Sequence, residues 1–69
     1  MTVNEYNTIH NVIKKGKHRY RIFAKEVAKY GVYLYAYGEQ NLEEKWMNYC
    51  IENGFGSNAI VEKIIVDDV

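Results

Sequence analysis

Between Gly31 and Gly38 the chain reads Val-Tyr-Leu-Tyr-Ala-Tyr, a strict alternation of aliphatic and phenolic side chains. Side chains of an extended strand point alternately to its two sides, so this run has one aliphatic face and one tyrosine face. Any fold that contains it needs a sheet whose two sides differ. One side, with Val32, Leu34 and Ala36, suits a core. The other, with Tyr33, Tyr35 and Tyr37, suits a half-wet surface or a contact site.

That sheet must be built with few means. The chain has 69 residues, enough for a single small domain spanning 1–69. A domain of about 60 residues buries only roughly 60% of the surface its unfolded chain exposes. One cysteine, Cys50, excludes an internal disulfide and a cysteine-based zinc cluster. Apolar residues make up 48%, which argues for a folded chain, and there is no proline. No apolar run approaches the roughly 18 residues of a membrane span, and the start "MTVNEYNTIH" lacks the order of a signal peptide. The expectation is a cytoplasmic protein. Its composition, rich in Tyr, Asn, Lys and Ile, is similar to that of small proteins encoded by phages or prophages of low-GC bacteria.

The periodicities predict the other elements. Val3, Tyr6, Ile9, His10 and Ile13 recur at helical steps, with Asn4 as cap and Gly16 as stop. "NLEEKWMNYCIENG" reads as a second helix with Asn41 and Glu44 as a capping box. Leu42, Trp46, Tyr49 and Cys50 share its buried side, and Gly54 ends it. "FGSN" is a loop and "AIVEKIIV" a strand, with Ile60, Ile64 and Val66 on one face and Val61 and Ile65 on the other. "DDV" is expected to fray.

Residues 18–30 are open to two readings. A helix would stripe Tyr20, Phe23, Val27 and Tyr30, but it lacks a capping residue and starts with Arg19 and Arg21 at the wrong pole. The strand reading is preferred. It turns through Lys29, Tyr30 and a positive-φ Gly31. It pairs Ala28 with Val32, Glu26 with Leu34, Lys25 with Tyr35, Ala24 with Ala36, Phe23 with Tyr37 and Arg21 with Glu39. Ile22, Ala24 and Ala28 then join the aliphatic face with Glu26 as a misfit, while Val27 falls on the other side. The expected fold is α+β, helix-strand-strand-helix-strand, with both helices on one face of a three-stranded sheet.

Charge is balanced in total but not along the chain. Seven of nine Lys and Arg residues lie between Lys14 and Lys29, and acids dominate from Glu39 onward. The two parts can attract an outside partner or each other. The candidate contact face is Arg21, Phe23, Lys25, Tyr33, Tyr35 and Tyr37, and the candidate basic patch is Lys14, Lys15, Lys17 and Arg19. Two functions follow. One is contact with a protein partner or a second copy, since Tyr and Arg are enriched at contact centres. The alternative is single-stranded nucleic acid, where rings stack bases and cations meet phosphates. No motif specifies a reaction. Cys50 sits in an acidic helix, the opposite of a reactive thiol's setting, and His10 and His18 read as surface groups. Glu26, Glu43, Glu44 and Glu52 offer no defensible acid-base pair, so no catalytic, metal or cofactor site is expected.

Overall fold

The computed structural model describes residues 1–25, 28–55 and 60–68. Its elements are α1 (Val3–His10), β1 (His18–Ala24), β2 (Ala28–Ala36), α2 (Glu39–Glu52) and β3 (Val61–Val66). This is the expected α+β order. The sheet is antiparallel with β1 in the centre, in the order β2-β1-β3. Strands β2 and β3 therefore run parallel to each other, and α2 carries the chain across β1 from one edge to the other. Helix α2 packs on β2, α1 packs on β3, and the helices touch each other.

The caps differ from those expected. Helix α1 starts two residues earlier, with Thr2 as its cap. The Thr2 hydroxyl accepts the Glu5 N–H (3.1 Å), and the Glu5 carboxylate accepts the Thr2 N–H (2.8 Å). Hydrogen bonding to the carboxylate from the Thr2 N–H and then the Thr2 hydroxyl holds the Glu5 carboxyl below its usual range. The Asn4 N–H is instead received by Glu43 of α2 (2.9 Å), which ties the two helices together. The helix ends at Asn11 in the left-handed region (φ 51°), because asparagine tolerates that conformation. Gly16 does take a positive φ, but in the following loop, and Ile9 is left exposed. Helix α2 starts at Gly38 without a side-chain cap. Asn41 lies within its first turn and accepts the Tyr37 N–H (3.0 Å), so it does not form the expected box with Glu44. The end follows expectation. Gly54 has φ 75°, its N–H reaches the Ile51 carbonyl, and the Phe55 N–H reaches that of Cys50, the paired bonds of a Schellman stop.

The hairpin has the expected strands and a different register. Arg21 pairs with Tyr33 rather than Glu39, Tyr20 with Leu34, Ile22 with Val32, and Ala24 with Ala28. Lys25 lies in the turn, and the expected placements of Glu26 and Val27 fall outside the described residues. Between the last two pairs, β1 has Phe23 alone while β2 has Lys29, Tyr30 and Gly31. The intended turn residues are thus a bulge within the ladder. Gly31 keeps its positive φ (88°) there, as glycine does at such positions. The slip is by an even number of residues, so the paired residues of both strands keep their expected faces.

A second bulge corrects β3. Phe23 pairs with Lys63 and Ala24 with Val61, which leaves Glu62 as the extra residue. Val61 is thereby turned into the core beside Ile64, and Ile60 is left exposed. The core holds Val3 and Tyr6 from α1, Leu42, Trp46 and Cys50 from α2, and Tyr20, Ile22, Ala24, Ala28, Ala36, Val61 and Ile64 from the sheet. The alanines let the helices approach closely. Burial pushes the Cys50 thiol up, the opposite of the shift that activates a thiol.

Candidate contact face

With the helices on one side, the other side of the sheet is open. Tyr33, Tyr35 and Tyr37 are 49%, 51% and 62% exposed, although all three lie within or next to a paired strand. Tyr33 and Tyr35 stand in β2, and Tyr37 follows its end. The central strand sends Arg19, Arg21 and Phe23 to the same side, and β3 adds Lys63 opposite Phe23 and Ile65 opposite Arg21.

Cations and rings alternate across this surface. Lys17 lies 5.3 Å from the Tyr35 ring centre. The Arg19 and Arg21 guanidinium carbons lie 4.6 and 5.2 Å from that of Tyr33. Arg21 is also 5.0 Å from Phe23, which Lys63 approaches at 6.0 Å from the far strand. A cation over an aromatic face is attracted by about 0.5–1 kcal/mol at an exposed site. The row is therefore a continuous set of neighbouring cations and rings.

Backbone carbonyls anchor the two guanidiniums. Arg19 donates through Nε to the Asp67 carbonyl (2.7 Å), with its Nη2 3.7 Å from the Asp67 carboxylate. Arg21 donates through Nε to the Tyr30 carbonyl (3.0 Å), and its Nη2 reaches the same oxygen. This second anchor depends on the bulge. A Cβ at Gly31 would lie 2.5 Å from the Arg21 Nε, inside contact distance. Gly31 thus serves the face twice, by turning the Tyr30 carbonyl toward Arg21 and by leaving room for its side chain.

The acidic end does not fray as expected over Asp67 and Asp68; Val69 lies outside the described residues. The Asp67 N–H donates to the Arg19 carbonyl, and Asp68 accepts from the Arg19 N–H (2.7 Å) and meets His18 Nδ1 (2.7 Å). The Arg19 N–H and the His18 ring together hold the Asp68 carboxyl below its usual range. Part of the sequence's charge separation is thus satisfied within the chain.

The two expected sites are redistributed. Arg21, Phe23, Tyr33 and Tyr35 meet as one face, with Tyr37 at its end. Lys25 lies in the turn, off the strand. The basic patch divides. Lys17 and Arg19 join the ring face, while Lys14 and Lys15 stay on the exposed loop before β1. Lys14 serves the core through its backbone, because its N–H donates to the buried Tyr20 hydroxyl (2.9 Å). Lys63, Ile65 and Asp67 were not expected at this face. The alternation in β3 hinted at them, but only the strand order brings them beside β1. Among the described residues no group of His, Cys, Asp and Glu is arranged to hold a metal ion, and no helix is long and apolar enough to cross a membrane. No known protein family, curated protein or solved structure matches the chain.

Proposed function

We propose that this chain is an interaction module that contacts another protein through the open face of its sheet. One observation carries the reading: Tyr33 and Tyr35 are half exposed and lie against the cations of Arg19, Arg21 and Lys17. Rings biased toward one arrangement before binding lose less freedom on contact, which favours affinity. Tyr and Arg are also the residues that dominate contact energies. Guanidiniums against Tyr33 occupy the surface a base would stack on, which favours a partner that meets ring edges and hydroxyls. The second reading is single-stranded nucleic acid. It is supported by Lys17 against Tyr35, which continues the cation row toward exposed Lys14 and Lys15.

Solution mass and pull-down of the whole chain, with and without Tyr35→Ala, test the first reading. A self-complex or partner complex that Tyr35→Ala abolishes supports it, and a complex indifferent to Tyr35→Ala removes it. Binding to a fluorescent single-stranded oligonucleotide tests the second. Affinity would fall with salt by a log–log slope of about 0.7 per phosphate contact. Sub-micromolar binding at physiological salt, lost in Tyr35→Ala, would replace the protein reading with the nucleic-acid one.

A further inference from the structure

The side of the molecule opposite the ring face carries a second pattern. Helix α2 exposes Gln40, Glu44, Met47, Asn48, Ile51 and Glu52, which recur at the spacing of a single helical stripe. The outer stripe of a helix that covers a core is ordinarily polar. Here Met47 and Ile51 are 42% and 60% exposed, and Glu44 and Glu52 frame them. The stripe contains no cation: Lys45, beside it, donates to the Tyr35 carbonyl (2.6 Å). Neither glutamate has an ion-pair partner among the described residues, and neither do Lys17, Arg21 or Lys63 on the ring face.

One layer of the fold thus ends in an acidic and apolar stripe, and the other in a basic and aromatic face. A contact between two ring faces would set Lys17, Arg21 and Lys63 of both copies against one another, and like charges across an interface are penalised. A contact between the ring face and the α2 stripe sets cations against carboxylates and rings against Met47 and Ile51. Because the patches lie on opposite sides of a two-layer molecule, each copy can use both at once.

Resting on the reading that the ring face contacts protein, we propose that its occupant is the α2 stripe of a second copy, bound head to tail. Such a contact joins two different surfaces on opposite sides of the molecule, so it repeats from copy to copy into a ring or an open stack.

The test uses the whole chain and two exposed charge reversals. One variant carries Glu44→Lys and Glu52→Lys; the other carries Lys17→Glu and Lys63→Glu. Sedimentation is followed across concentration at low and high salt, with circular dichroism to verify folding. The native chain is expected to exceed twice its 8.1 kDa mass as concentration rises, and to fall back in high salt. Each variant alone should stay monomeric. An equimolar mixture should associate again, because the intact face of one variant meets the intact stripe of the other and the two reversed patches are also of opposite sign. If either reversal unfolds the chain, Glu44→Gln with Glu52→Gln should still weaken association. A native monomer at every concentration overturns the proposal. A dimer that survives Glu44→Lys and Glu52→Lys but is lost in Tyr35→Ala also overturns it, while leaving the ring face as a protein contact. A complex that ignores Tyr35→Ala removes that underlying reading instead.

Discussion

Tyr20 and Tyr35 are the same residue on neighbouring strands of one sheet, with opposite fates. Tyr20 is fully buried, and its hydroxyl is held by the Lys14 N–H at 2.9 Å. Tyr35 is half exposed and borders Lys17. The difference lies in the side of the sheet each ring meets. On the inner side α1 and α2 exclude water, so a phenol is admitted only with a partner for its hydroxyl. On the outer side the hydroxyl is open to solvent, and the ring borders a cation. The inner face should therefore answer to packing losses and the outer face to binding losses.

The largest effect should come from Trp46→Ala. Removing a buried ring leaves a cavity and costs about 3–5 kcal/mol, a large share of a small domain's stability. Denaturant unfolding checks this. A loss below about 1 kcal/mol would mean that the helix layer does not hold the inner face.

Next comes Gly31→Ala, expected to cost about 1–2 kcal/mol for a Cβ at positive φ. The added carbon also displaces the Arg21 side chain, so the Arg21 Nε–H resonance should lose its protection and binding at the ring face should weaken. Unchanged Arg21 protection in the variant would separate the bulge from the face.

Tyr20→Phe and Tyr35→Phe sharpen the comparison directly. Tyr20→Phe leaves the Lys14 N–H without its acceptor and should cost about 1 kcal/mol. Tyr35→Phe should leave stability almost unchanged, with any effect confined to partner binding. Equal losses at the two positions would show that the outer rings belong to the packing.

The smallest effect concerns the docked tail. The Asp68 carboxyl lies below its usual range in the folded chain, so its contribution is present above the ordinary carboxylate pKa and lost as pH falls through the lowered folded value. Acid titration should move the Arg19 amide and His18 ring resonances together in that window. Asp68→Asn should abolish the step for Arg19. Persistence of that step in the variant would place its origin elsewhere.

Much of the fold was legible along the chain. The side of α2 that carries Leu42, Trp46 and Cys50, the stop at Gly54 and the faces of both hairpin strands follow from spacing and residue type. Asn4 is a good cap by type alone, but the pair that acts in the structure is Thr2 with Glu5. In that arrangement Glu43, 39 residues away, takes the Asn4 N–H. The core position of Val61 depended on a bulge at Glu62, and the docking of Asp67 and Asp68 on β3 lying beside β1. Long-range partners of this kind leave no local trace.

The sequence by itself determined which residues share a side of the sheet. Side chains alternate with a period of two, so Tyr33 and Tyr35 oppose Val32 and Leu34 in direction wherever the turn falls. Tertiary structure alone decided which residues meet. A slip by an even number leaves both faces intact, so the hydrophobic pattern cannot tell Arg21 facing Glu39 from Arg21 facing Tyr33. The latter ends β2 at Ala36 and releases Glu39 to begin α2. It gives Leu34 the ring of Tyr20 in place of the Glu26 carboxylate that the other register would have drawn into the core. That register brings Arg19, Arg21 and Tyr33 together and sets Tyr20 against Leu34 and Ile22 against Val32 on the inner side. Such cross-strand contacts decide between registers of equal pattern, and they exist only in the folded chain.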